Sequence, residues 1–322
     1  MTAFQNIWLL PAGLYLFLGG LSAGLYLVAG TACVLRQRRF SRMYRTAFLI
    51  SAAMLAAGLV CLLVEVVKPA QALIVWRTFS NSSSWMMWGA WVAVGCIGIF
   101  GLTGIFECPG PSRWLRDLLS GVPFLREGLR IGFVVLGMVG AVFITVYTGF
   151  LLTSAGGVPF WNSLLLPPLF CVSAVNAGLS AMMALGVFTG RTNQASKSLR
   201  RTLIVVSLAV TVLEAALIAW FVLSMLAGGG FGYDAQRIAA ALSAGELISG
   251  RFALSFWLLV PALGLAVPSA VFILGGFTGV RVPDGILCLA ALLSVLSDMA
   301  LRFLILYAGT YSDWFASVLA TL

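Results

Sequence analysis

Histidine is absent from all 322 residues. That removes bis-histidine ligation, the usual way a membrane electron-transfer subunit holds b-type haem. Six cysteines are present (Cys33, Cys61, Cys96, Cys108, Cys171 and Cys288), but no two form a Cys-x-x-Cys pair and most lie inside apolar runs. Iron–sulfur clusters and structural zinc need clustered thiolates, so these cysteines read as small buried hydrophobes and no metal site is expected in the chain. Charge is also scarce. Charged residues make up 9% of the sequence, against about 25% in an ordinary soluble domain.

Hydrophobic residues, in contrast, make up 61% of the chain. A soluble chain of this size cannot bury that fraction of its surface, so the composition excludes a soluble enzyme, a nucleic-acid-binding domain and a disordered chain. It predicts a polytopic membrane protein of a single domain. Eight runs are long enough to cross the hydrocarbon layer, which takes about 20 residues: roughly 8–35, 46–68, 84–106, 129–153, 161–189, 202–227, 252–276 and 284–309. The runs are continuously apolar rather than alternating, which excludes a β-barrel. Only helices then satisfy the spanning backbone, and the fold class is all-α integral membrane. No basic stretch precedes the first run, so it reads as a retained span rather than a cleaved signal peptide.

The net charge of +9 is distributed unevenly. The loops after spans 1, 3, 5 and 7 carry 14 Lys and Arg residues; the opposite side carries four, Lys68, Arg77, Arg237 and Arg251. By the positive-inside rule the 14-charge side is cytoplasmic, which puts both termini outward. On the outward side, segment 228–251 opens with Gly228-Gly229-Gly230 and continues as a weakly amphipathic stretch from Ala235 to Leu247. A short interfacial helix is expected there.

Ionisable groups inside a bilayer cost about 2.5–3.5 kcal/mol or more, so each needs a reason. Glu65 stands near the outer end of span 2, one turn before Lys68, and Glu214 lies midway along span 6. Asp298 and Arg302 are four apart on span 8 and read as an ion pair in the favourable order, acid before base. Interhelical glue, a charged wall for a polar headgroup, and a proton path all fit these residues. Aromatic residues gather at span ends as ordinary interfacial anchors. Tyr147 differs, because Tyr147-Thr148-Gly149 sets a phenol and a hydroxyl beside a glycine that admits a close neighbour. A phenol there can donate to a quinone carbonyl.

Several stretches together resemble the NrfD/PsrC family of quinone-interacting membrane subunits. They are Tyr15-Leu16-Phe17-Leu18-Gly19-Gly20-Leu21-Ser22-Ala23-Gly24, Tyr147-Thr148-Gly149-Phe150-Leu151-Leu152, Pro159-Phe160-Trp161-Asn162, Leu166-Pro167-Pro168-Leu169-Phe170, Phe256-Trp257-Leu258, Gly264 to Pro268, and Leu301 to Gly309 around Arg302. The resemblance implies eight helices in two four-helix bundles in the cytoplasmic (inner) membrane, with both termini outward. It also implies a menaquinone or ubiquinone site near the outward face. Electrons would pass to an outward four-cluster iron–sulfur subunit and, in anaerobic respiration, often to a molybdopterin catalytic subunit beyond it. Tyr147 and Glu65 carry over as site residues, with Lys68 and Thr148 beside them. The family's first-span asparagine has no match, since Ala12 and its neighbours stand there. Glu214, Asp298 and Arg302 are candidates for a polar track through the helices. A proton-coupled secondary transporter is the alternative: it accounts for the intramembrane acids and glycine-broken helices, but it would call for an inverted repeat that the sequence lacks.

Overall fold

The structure is a computed structural model; it describes residues 8, 10–35, 41–66, 85–107, 123–154, 157–188, 197–277 and 282–311. The chain is helical through most of these segments. The helices are α1 (Leu10–Val34), α2 (Ser41–Val66), α3 (Trp85–Phe106), α4 (Pro123–Thr153), α5 (Leu166–Phe188), α6 (Lys197–Leu226), α7 (Asp234–Ile248), α8 (Ala253–Trp257), α9 (Val267–Phe277) and α10 (Asp284–Tyr307). A wide-turned π-helical segment, Leu258–Ala266, fuses α8 to α9 into one span. Eight of these units are long and apolar enough to cross a membrane. Lys68 and segment 69–83 lie outside the described residues, as does the side chain of Glu65 within α2.

α1 is the centre. Its most apolar window is 78% buried inside the protein, against 28% for the windows of α4 and α6. It packs on α2, α4, α5 and α10, and α5 packs in turn on α4, α6 and α10. The outer helices turn Trp88, Trp91, Val139, Val212 and Trp220 outward, where lipid replaces a protein neighbour. Lipid tails are as apolar as leucine, so close backbone contact rather than the hydrophobic effect holds membrane helices together. The α1–α5 crossing shows how. Gly24 and Gly178 meet backbone to backbone, and a Cβ on Gly24 would run into the Ala174 carbonyl.

α6 ends where Gly228, Gly229 and Gly230 take φ of 92°, 64° and 74°. The Gly229 N–H donates to the Ser224 carbonyl at 2.9 Å and the Gly228 N–H to that of Met225 at 3.0 Å. This glycine-dependent C-terminal turn redirects the chain into α7. The expected short helix over Ala235–Leu247 is therefore present, one residue longer at each end. One face of α7 is buried through Ala239, Ala240, Ser243, Ala244 and Leu247. Thr310, just past α10, pins it: the Thr310 hydroxyl donates to the Ala239 carbonyl at 3.1 Å and lies 2.9 Å from the Ser243 hydroxyl.

The start of span 5 and the interior of span 7 depart from plain continuous helices for a physical reason. Span 5 is expected from 161, but its helix begins at Leu166. Pro167 and Pro168 suit a first helical turn, where no N–H is needed. The preceding Trp161 instead ties this segment to α10, donating from its indole to the Ile305 carbonyl at 2.9 Å and stacking on Trp8 with centroids 5.8 Å apart. In span 7, Pro261 removes a backbone donor inside the helix, and the ladder widens around it.

Gly178→Val is expected to overpack the α1–α5 crossing and lower the melting temperature of purified protein, the cost being about 1–3 kcal/mol or more. Gly95→Ala, on α3 where nothing lies within 4 Å, is the matched change and should leave the melting curve where it is. Equal melting of the two variants would contradict this account of the crossing.

Candidate functional site

Two groups of buried polar side chains stand out among the described residues. The first is a pair of phenols. Tyr147 on α4 and Tyr15 on α1 are 2% and 0% exposed, and neither hydroxyl has a hydrogen-bond partner among the described residues. The two lie close enough to influence each other electrostatically. Phe143 stacks on the Tyr147 ring at 6.1 Å, and Gly89 of α3 gives that phenol its room, since a Cβ there would overlap the ring. The pair belongs to the same buried apolar cluster as Leu16, Leu62, Leu151, Leu152 and Phe170.

An unmade hydrogen bond on a buried hydroxyl costs about 1–3 kcal/mol. Two such groups in one apolar cluster are set up for a ligand that brings its own polar atoms. A phenol both donates and accepts, so the pair can meet a carbonyl oxygen or a hydroxyl on an otherwise apolar ring. Thr148 is fully buried next to them, but its hydroxyl donates to the Thr145 carbonyl at 2.7 Å. It offers the site lone pairs and a methyl wall rather than a proton. Glu65 lies on α2, two helical turns beyond Gly58, the residue that packs against the Tyr15 ring. Tyr15 is a candidate residue that sequence reasoning missed, although it sits within the first matching stretch. The signal that marks it is a tyrosine inside a glycine-rich span.

The second group is a continuous network across α1, α5, α6 and α10. Arg302 is fully buried. Its Nε donates to both Asp298 oxygens at 3.1 and 3.2 Å, and its Nη2 lies 3.1 Å from Oδ1. Nη1 donates to the Leu16 carbonyl at 3.1 Å and Nη2 to that of Phe170 at 3.4 Å. The guanidinium carbon also sits 4.7 Å from the centre of the Phe170 ring, a cation–π contact strengthened by the dry surroundings. Gly20 on α1 makes room: a Cβ there would stand 2.7 Å from that carbon. The predicted Asp298–Arg302 pair is thus formed, and the guanidinium ties two further helices to α10 through their backbones.

From Asp298 the network runs on. The Ser173 hydroxyl donates to Asp298 and also bears on Glu214. Asn176 Nδ2 donates to Glu214 Oε2 at 2.5 Å, and the Thr211 hydroxyl donates to Asn176 Oδ1 at 3.3 Å and the Ser207 carbonyl at 2.9 Å. Glu214, Asp298 and Arg302 are therefore one assembly, with α5 supplying the links. Ser173 and Asn176, three apart and so on one helix face, do not stand out in the sequence because neutral polar residues in an apolar run carry little cost on their own. Among the described residues no three His, Cys, Asp or Glu side chains gather as metal ligands.

Residues 2–312 match the family described as polysulphide reductase, NrfD. The chain belongs to that family. It is 32% identical over 315 residues to the C subunit of the polysulfide reductase of Wolinella succinogenes, a match covering 94% of each protein. It is 30% identical over 326 residues to protein NrfD of Escherichia coli, covering 94% of this chain and 95% of the other. A homologue of protein NrfD from Haemophilus influenzae is 29% identical over 178 residues, 55% of this chain and 51% of its own. With eight apolar helices, membership of the NrfD family makes this a multi-pass integral membrane protein.

Breaking the buried pair tests how the network holds the helices. Arg302→Met leaves Asp298 uncompensated and is expected to destabilise the protein by about 3–5 kcal/mol, the usual loss on removing one partner of a buried ion pair. The double variant Asp298→Asn with Arg302→Met should melt higher than the sum of the single losses allows. Additive single losses in thermal unfolding would contradict a coupled pair.

Proposed function

We propose that this chain is the quinone-binding membrane subunit of a respiratory oxidoreductase, exchanging electrons between the quinone pool and an iron–sulfur partner on the outward face. The observation that carries the reading is the pair of unpartnered phenols, Tyr15 and Tyr147, enclosed in an apolar cluster. A menaquinone or ubiquinone head group is a flat, apolar ring with polar atoms at opposite edges, and it complements such a pair. Names among the relatives support the setting, since the C subunit of polysulfide reductase is by its name one part of a larger enzyme. A subunit of that kind takes its catalytic chemistry from its partners, here an iron–sulfur subunit with several clusters and a molybdopterin subunit beyond it.

In this reading α1–α4 form one four-helix bundle and α5, α6, α8–α9 and α10 a second. The helix neighbours fit this, with α1, α4, α5 and α10 lining the seam. Both termini face outward, in keeping with the 14 cations on one side of the sequence and four on the other. The phenols then lie toward the outward ends of α1 and α4. When quinol is bound, its two-electron oxidation supplies electrons and releases two protons. Tyr15 and Tyr147 fix the ring by its oxygens, the leucines exclude water, and Glu65 accepts a proton near the outward end of α2. Lys68, three residues on in the sequence, adds a positive charge at that end of the span.

Tyr147→Phe and Tyr15→Phe remove one hydroxyl each with little change of shape. Each should weaken binding of a fluorescent quinone analogue to the purified protein by about tenfold, the equivalent of one well-placed hydrogen bond. Elution volume and melting temperature should stay as they are or rise. Unchanged affinity in both variants would contradict the site.

A further inference from the structure

Many hydroxyls inside these helices bond back to their own backbone. Thr31, Thr103, Thr211 and Ser243 donate to the carbonyl four residues earlier, and Thr145, Thr148 and Thr153 to the carbonyl three residues earlier. That is the default for Ser and Thr in a membrane helix, where no water competes. Ser22 and Ser173 instead donate across to a neighbouring helix, and the hydroxyls of Ser51 on α2, Ser180 on α5 and Ser207 on α6 make no hydrogen bond among the described residues; the last two face one another's helices. Ser180 and Ser207 are both 0% exposed.

Their positions coincide. Asn176 of α5 is bonded to Thr211 and Glu214 of α6. Ser180 is one turn past Asn176, and Ser207 is one turn before Thr211. Consecutive spans joined by a short link run antiparallel, so both steps lead the same way, toward the end of α6 that begins with Lys197, Arg200 and Arg201. The two serines therefore stand at one level between the helices, a turn below the Glu214 network. A turn is about 5.4 Å, which two O–H···O bonds of about 2.8 Å span through a single water. Buried polar atoms without a protein partner are the places where internal water is held.

We propose that Ser180 and Ser207 hold a short file of water between α5 and α6, and that this file is a proton access route from the basic, cytoplasmic end of the helices to the Glu214 carboxyl. Protons move along it by exchange of O–H bonds. As a Glu214 oxygen gains a proton, the neighbouring water gives one up and is re-protonated by the next; no electron changes hands. From Glu214 the network continues through Ser173 and Asp298 to Arg302, whose guanidinium holds the carbonyl of Leu16, the residue after Tyr15. The route stands apart from the quinone reading: a chain that bound no quinone would still exchange protons at Glu214.

Infrared spectroscopy of the full chain transferred from H2O to D2O tests the route. The Glu214 carbonyl band is the one that Glu214→Gln removes. It should shift on deuteration, and Ser180→Val with Ser207→Val should slow that shift by about tenfold, the rate equivalent of one lost bridging hydrogen bond. Ser51→Ala, which alters an unpartnered hydroxyl on α2, should leave it unchanged. A band that shifts equally fast in the double variant, or no exchanging band assignable to Glu214, overturns the proposal. A wild-type density map fine enough to show ordered water tests the file a second way, without any variant. Water within hydrogen-bond distance of both serine hydroxyls supports the file; serines turned onto the Asn176 and Leu203 carbonyls overturn it.

Discussion

A fully buried guanidinium sets the terms for the middle of this protein. Arg302 has five N–H donors in a fixed plane and a charge that cannot be neutralised by losing a proton. In the interior of a bilayer each of those donors needs an acceptor. Asp298 takes two edges, and the carbonyls of Leu16 and Phe170 take others. Those carbonyls belong to two other helices, so satisfying one side chain fixes α1, α5 and α10 together. Gly20 follows from the same demand, since it has to yield the volume that the guanidinium fills. The arrangement also explains why α1 is central: it is the helix that can come closest to its neighbours.

The two polar groups are built on opposite principles. The charged groups around Arg302 and Glu214 are each answered by a protein partner, which brings specificity of packing together with a set of exchangeable protons. The phenol pair is open, with two hydroxyls held in an apolar cluster and unanswered by the protein around them. Partnered groups stabilise the packing; unpartnered ones leave polar atoms free for a ligand. They are joined at α1, where Arg302 grips the carbonyl next to Tyr15 in sequence. The network and the phenol pair therefore share one helix.

Much of the fold was legible because bilayer physics leaves few choices. Eight apolar runs had to be eight helices, and the Asp298–Arg302 spacing had to make a pair. The Gly228–Gly230 turn and α7 were readable from three glycines followed by an amphipathic stretch. The start of α5 and the widened turns around Pro261 were not, because they depend on where proline lets a hydrogen-bond ladder begin or forces it to open. The site was legible only in part. Tyr147 stood out through its neighbours Thr148 and Gly149, but Tyr15 became significant only when folding left its hydroxyl without a partner. Ser173, Asn176, Ser180 and Ser207 were invisible for the same reason: a neutral side chain in a span acquires meaning from the helix opposite.

The central claim is that a lipid-soluble redox carrier is gripped between α1 and α4. Photolabelling of the membrane-embedded protein with an azidoquinone, followed by mass spectrometry of the modified peptides, addresses it directly. The account predicts label on the segments around Tyr15 and Tyr147, displaced by excess unmodified quinone. Label confined to α6 through α10, or label that excess quinone does not displace, would contradict it.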